Sequence, residues 1–363
     1  MKHSYEGNAI VYCRKAFRNT NGKTAHGLVR RSNRYRILSI IDEECAGMDA
    51  GVILDGSPAG IPVHSKLEQS LDEFESAENP PTHFIIGLAP DGGRLPGAAR
   101  NDIMRSIESG LDIVSGLHDF LCEDAEIASL AQKHGSRLID VRKPPKRKDL
   151  HFYSGVIDEV ACLKVAVLGT DSAVGKRTTA WMIVDELNSR GIKAELVGTG
   201  QTAWLQGAQH GIILDSIVND FVAGEIEHAV YGAWITGRPR VIVIEGQGSL
   251  MNPAYPGGFE ILAAARPDCV VLQHVPGRRD YDGFNGCPIH PVEKQIQAIE
   301  IVSSKPVVAV TVNTEGIQRD DVQKTCEGIA DRTRLPVTAP IECGIEKAVE
   351  AVLEFKTSSS DRV

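Results

Sequence analysis

The stretch LKVAVLGTDSAVGKRTTAWMIVDELNSRG, Leu163 to Gly191, decides the fold. Leu163–Leu168 is a short apolar run of strand length, and from about Arg177 onward apolar residues recur at helical spacing. Between them a loop of small residues opens at Gly169 and closes on Gly175-Lys176. Strand, small-residue loop, Gly-Lys and helix in that order are the context of a phosphate-cradling P-loop. In such a loop the backbone N–H groups turn inward, the helix N-terminus adds the positive end of its dipole, and the lysine adds a mobile charge. Gly169, Thr170, Ser172, Gly175, Lys176, Arg177, Thr178 and Thr179 are therefore the expected cofactor-binding set.

Two features depart from the common pattern. Five residues rather than four separate Gly169 from Gly175. The position after the lysine, which in NTPases carries the hydroxyl that holds Mg²⁺, is Arg177. Thr178 and Thr179 are each displaced along the helix, and one residue of shift is a rotation of about 100°. Phosphate binding is expected; NTP hydrolysis does not follow from it.

Working outward, short β-branched runs alternate with helical patterns along the whole chain. In the first half strands are expected at Ala9–Cys13, Tyr35–Ile41, Gly51–Leu54, His83–Gly87, Asp112–Gly116 and Arg137–Val141, with helices such as Arg100–Ser109 and Ala125–His134. In the second half they are expected at Leu163–Leu168, Lys193–Val197, Val241–Glu245, Cys269–Gln273, Pro306–Val312 and Pro336–Ala339. This alternation predicts an α/β protein with mostly parallel sheets. RKPPKRKDL, Arg142–Leu150, interrupts the rhythm with two prolines and a charged cluster that has nothing to bury, and reads as an interdomain linker. The end, KTSSSDRV from Lys356, reads as a polar tail.

Composition sets the outer bounds. The 363 residues suit two domains, with 42% hydrophobic and 24% charged residues. A net charge of −9 argues against nucleic acid or an anionic membrane as the main partner. The eight cysteines show no C-x-x-C spacing and read as reduced thiols; no metal site is expected. The N-terminus lacks a signal-peptide apolar core and no run reaches the ~18 apolar residues of a membrane span. A cytoplasmic, soluble, homo-oligomeric protein acting on small molecules is expected.

A second chemical signal is RVIVIEGQGSL, Arg240–Leu250, where Glu245 ends a strand and so faces the ligand crevice of an open parallel sheet. The GTD opening, the five-residue spacing and this Glu-Gly-x-Gly stretch resemble dethiobiotin synthetase and its ATP-dependent relatives. That resemblance implies a metal-ligand or base role for Glu245 and a base-recognising role for Asn313 in PVVAVTVNTEG.

A wider resemblance spans about residues 9 to 345. GKTAHGLVR (Gly22–Arg30), FIIGLAPDGGRLP (Phe84–Pro96), GLDIVSGLHDFL (Gly110–Leu121), DVRKPP (Asp140–Pro145), the GTD loop, GTGQT (Gly198–Thr202) and DFVAGEIE (Asp220–Glu227) resemble D-glutamate N-acetyltransferases of the DgcN type. The resemblance implies a Rossmann-like domain over 1–145, a linker over 146–160, a P-loop NTPase-like domain over 161–355 and a flexible tail over 356–363. It also implies acyl transfer from acetyl-CoA to the amine of D-glutamate or a similar acidic amino acid. A P-loop can cradle CoA phosphates without any γ-phosphate chemistry, and Arg177 would not harm such a site.

Acetyl transfer needs a proton acceptor for the amine, and Asp171, Glu245 and Asp220 are the catalytic candidates, with Glu225 beside them. Asp171 suits a metal or positioning role equally. Gln201, Thr202, Arg278, Arg94 and His118 are the substrate-binding candidates, with Arg279 and His274 as neighbours of interest. GLAPDGGRLP carries a strand-end glycine turn but no G-x-G-x-x-G opening a helix, so NAD is not expected. Two other readings stay open: an ATP/Mg²⁺-dependent carboxylate–amine ligase or carboxylase, and a non-catalytic nucleotide or CoA sensor.

Overall fold

The computed structural model describes residues 5–360, apart from the side chains of Asp91 and residues 358–360. The chain forms two compact units. The first holds the chain up to Pro144 together with Gln201–Gly207; the second holds Pro145–Gly200 and the chain from Ala208 onward.

In the first unit the strands are β1 Gly7–Tyr12, β2 Tyr35–Ile41, β3 Val63–His64, β4 His83–Ile86, β5 Asp112–Ser115 and β6 Leu138–Asp140. They lie in the order β3-β2-β1-β4-β5-β6, every pair parallel. This is the doubly wound Rossmann order, reversing between β1 and β4. The central runs Ala9–Tyr12 and Phe84–Ile86 are buried and almost wholly apolar, as strands covered on both faces must be. Gly51–Leu54, expected as a strand, is instead part of the helix Ala50–Asp55. The Asp49 carboxylate accepts from the N–H groups of Gly51 and Val52 at 2.8 and 3.1 Å and starts that helix.

The segment Gln201–Gly207 was read as part of the P-loop half, yet its helix Gln201–Gln206 joins the first unit. Leu205 is fully buried in that unit's core, and Gln206 Nε2 donates to the Gly27 carbonyl at 2.7 Å.

In the second unit the strands are β7 Leu163–Gly169, β8 Ala194–Gly198, β9 His210–Gly211, β10 Val241–Glu245, β11 Cys269–His274, β12 Val307–Val312 and β13 Val337–Thr338. Their order is β13-β12-β11-β7-β10-β8-β9, all parallel. β7 is buried along its whole length and sits between β10 and β11. The loops leaving β7, β10 and β11 therefore emerge side by side.

The charged stretch after Pro144 contains two short 3₁₀ turns, Arg147–Asp149 and Val156–Glu159. Its latter part is pinned to the second unit by the buried Glu227, whose carboxylate accepts from the N–H groups of Ser154, Gly155 and Ile157 at 2.7, 2.8 and 3.2 Å. The last helix, Glu346–Ser360, runs on through Lys356, and residues 361–363 lie outside the described residues. The eight cysteines are free, and no helix among the described residues is long and apolar enough to cross a membrane.

Candidate functional site

The loop after β7 folds as a cradle. Its root is fixed from β11: Thr170 N–H donates to the Gln273 carbonyl at 2.9 Å, and Thr170 Oγ1 shares a hydrogen bond with His274 Nδ1 at 3.1 Å. Gly175 has φ +102°, a conformation that costs glycine nothing, and turns the chain into the helix Lys176–Ser189. At Gly169 a Cβ would lie 2.8 Å from Lys176 Cδ, so glycine lets the lysine fold back over the loop.

Lys176 Nζ donates to the carbonyls of Asp171 and Gly248 at 2.6 and 2.9 Å. Among the described residues, no protein group accepts from the N–H groups of Ala173, Val174 or Gly175. Three such amides precede a 14-residue helix, where open N–H groups and the positive end of the helix dipole favour an anion.

The two threonines of the helix part company. Thr179 is buried, and its Oγ1 donates to Gln273 Oε1 at 2.5 Å, a contact Thr311 Oγ1 shares at 2.6 Å. Its hydroxyl thus holds the first helical turn to the sheet. Thr178 and Arg177 are half-buried.

Glu245 ends β10 beside this loop and is 5% exposed. Its Oε2 accepts from Thr199 N–H at 2.9 Å. Burial pushes its carboxyl above the usual range, against the pull of Arg177, the Thr199 N–H, Lys176 and the Gly200 N–H.

Asp171 is wholly buried and saturated. Oδ1 accepts from Ser172 N–H at 2.7 Å and Asn252 Nδ2 at 2.9 Å; Oδ2 accepts from Arg278 and from Asp282 N–H, each at 2.8 Å. Arg278 also donates to the Ser172 carbonyl at 2.9 Å and to Glu315 at 2.7 Å. To take a proton Asp171 would have to surrender these bonds, so its geometry is that of a brace joining the P-loop to the loops after β10 and β11. Asn313 braces the other side, donating from Nδ2 to the Val174 carbonyl at 2.9 Å.

Asp220 and Glu225 lie on the helix Asn219–Gly237. Asp220 is exposed in its first turn. Glu225 accepts from His151 N–H at 2.6 Å. His274 is buried, and burial lowers its pKa to about 4, so the ring is neutral near pH 7. Arg279 is exposed.

The remaining substrate candidates sit in the first unit. Gln201 packs over Gly116, and the buried Thr202 hydroxyl pairs with Thr24 at 3.2 Å. Arg94 is exposed and donates to Asp119 at 2.8 Å; the exposed His118 is tied by its N–H to the Gly93 carbonyl at 2.8 Å. The site residues that sequence reasoning missed are Thr199, Gly248, Asn252 and Gln273. Gln273 had a signal, a glutamine in the otherwise apolar run CVVLQ at a strand end. Asn252 had none beyond lying a few residues past a strand end.

A family model described as Domain of unknown function (DUF1611_C) P-loop domain matches residues 151–349. Domain of unknown function (DUF1611_N) Rossmann-like domain matches residues 43–144. A protein from Pseudoalteromonas sp named D-glutamate N-acetyltransferase is 30% identical over 273 residues, 73% of this chain and 80% of its own. A second of that name, from Tritonibacter scottomollicae, is 29% identical over 292 residues, 78% of this chain and 84% of its own. A crystal structure of a DUF1611 family protein from Anabaena variabilis ATCC 29413 is similar with a TM-score of 0.87 at 28% identity, covering 96% of this chain and 100% of that one.

Proposed function

The chain belongs to the DUF1611 family of Rossmann-like plus P-loop proteins, and on that premise we propose that it transfers the acetyl group of acetyl-CoA to the amine of D-glutamate or a similar acidic amino acid. The observation that carries this reading is the cradle itself. Open amides at Ala173–Gly175, with Lys176 and Arg177 at the helix start, suit the phosphates of CoA. Lys176 would leave the carbonyls of Asp171 and Gly248 for a phosphate oxygen.

Reach then decides among the candidate bases. The pantetheine arm carries the thioester on the order of 15 Å beyond the diphosphate when extended, by ordinary covalent chain dimensions. Glu245, beside the cradle, is too close to the phosphates to meet the acetyl group. Asp220 opens the helix that follows β9, and β9 is separated from β7 by β10 and β8. Three strand spacings, roughly 14 Å, set β9 apart from β7 across the sheet, a separation of the order of the arm's length, and Asp220 follows on the same side of the sheet. Asp220 is therefore our candidate proton acceptor. The neutral amine attacks the thioester carbon, the C–S bond breaks, and the amine proton passes to the carboxylate and on to the departing sulfur. For a carboxylate of the substrate Arg278 is the candidate within the second unit.

Calorimetric titration with acetyl-CoA and with Mg-ATP, followed by a free-thiol assay with D- and L-glutamate, tests the reading. Acetyl-CoA binding and thiol release with D-glutamate are expected; tight ATP binding without acetyl-CoA binding would favour the ligase reading instead. Asp220→Asn is expected to lower kcat by about 100-fold or more with acetyl-CoA affinity preserved. An unchanged kcat would remove Asp220 from the mechanism.

A further inference from the structure

An NTPase P-loop presents its phosphates together with Mg²⁺, held by the hydroxyl after the lysine and by a carboxylate at a neighbouring strand end. The residues here do not fit that ion. The hydroxyl position is Arg177, and the Thr179 hydroxyl is spent on Gln273 at 2.5 Å. The strand-end carboxylate, Glu245, takes the Thr199 N–H at 2.9 Å and lies in the field of Arg177 and Lys176.

We propose that Arg177, which holds the position of the metal-binding hydroxyl at the helix start, stands in for the divalent cation, so that this cradle binds diphosphate esters without metal and disfavours metal-chelated triphosphates. This rests on the phosphate reading of the loop, and not on acetyl transfer.

The physical argument is one of charge and shape. Lys176 and Arg177 place two positive charges at the start of the helix, to which the helix N-terminus adds its partial charge. A metal-free diphosphate supplies the opposite sign. A chelated Mg²⁺ arriving at that position meets a like charge a few ångströms away at reduced dielectric, which is repulsive. The guanidinium is charged at every working pH and matches two phosphate oxygens with parallel N–H donors. Arg177 is thus the residue that would set selectivity between a CoA-type ligand and an NTP.

The test is calorimetry with ADP and with acetyl-CoA, each in EDTA and in excess Mg²⁺, on the full chain. The wild type is expected to bind equally in both, within about twofold. Arg177→Thr, which restores the hydroxyl, is expected to lose about tenfold or more in EDTA and to regain affinity in Mg²⁺. Arg177→Lys keeps the charge without the fork and should fall between the two. Loss of wild-type binding in EDTA, or Arg177→Thr binding as tightly as wild type in EDTA, would overturn the proposal. Should Arg177→Thr not fold, the wild-type EDTA comparison and Arg177→Lys decide. Metal-independent ADP binding that needs Arg177, with no acetyl-CoA binding, would uphold the role of Arg177 and defeat the acetyl-transfer reading.

Discussion

The loops after β1 and after β7 occupy the same place in their respective sheets, and they are built to opposite ends. Each follows an inner parallel strand and leads to a helix. After β1 the carboxylate of Asp42, buried at the end of β2, accepts from the N–H groups of Ala16, Phe17, Glu44 and Cys45 at 3.2, 3.1, 2.8 and 3.1 Å. The loop's cation Arg14 donates to Asp102 at 2.8 Å, and Lys15 lies 3.8 Å from Glu43. After β7 the buried Asp171 takes only one loop amide, Ser172, and the amides of Ala173–Gly175 keep no protein acceptor among the described residues. Lys176 donates to the carbonyls of Asp171 and Gly248. A strand-end loop can close its amides on a carboxylate or leave them open, and the second arrangement is the one the proposed phosphate site requires.

The comparison can be broken most forcefully at Asp42. Replacing it with alanine leaves four N–H groups without their shared acceptor, three of them on the buried Ala16, Phe17 and Cys45, and should cost on the order of 4 kcal/mol, read as a lower midpoint in denaturant unfolding. A loss under about 1 kcal/mol would mean the loop after β1 is not locked as described.

Next in size is an acid effect at the root of the P-loop. His274 is held neutral by burial, its pKa lowered to about 4 from 6.5. Between those values the unfolded chain binds a proton that the folded chain refuses, so stability is full above about pH 6.5 and is lost as pH falls toward 4. The loss reaches roughly 3 kcal/mol. Unfolding curves across that window should show it, and His274→Gln should flatten the slope. A slope unchanged in that variant would place the acid sensitivity elsewhere.

Smaller again, Lys176→Ala should weaken the phosphate ligand by about 2 kcal/mol, roughly 30-fold, by calorimetry. The corresponding Lys15→Ala in the first unit should leave that affinity unchanged. Equal effects would erase the distinction between the two loops.

How much of this could be read from the chain follows from how far each signal reaches. The P-loop was legible because glycines, lysine and the helix start lie within eleven residues of one another. β10 was read at its exact bounds, Val241–Glu245, because a buried parallel strand is an unbroken apolar run. Gly51–Leu54 failed because a four-residue apolar run carries no period; Asp49 before it and Gly56 after it were the helix signals to weigh. The edge strands β3 and β9, two residues each, carry no pattern at all.

By itself, then, the sequence determined the α/β class, the P-loop and the strand-end place of Glu245, since backbone conformation and helix dipoles are settled by neighbours along the chain. Only the tertiary structure decided that Asp171 is a brace rather than a free base, that Thr179 faces Gln273, that Asp42 closes the loop after β1, and that Gln201–Gly207 belongs to the first unit. The partners in those contacts lie from 25 residues away, for Phe17 and Asp42, to 179, for Gly27 and Gln206, and no local spacing encodes which buried donor will find which acceptor. Packing makes that choice, because every buried polar group must be satisfied by whatever the fold brings beside it.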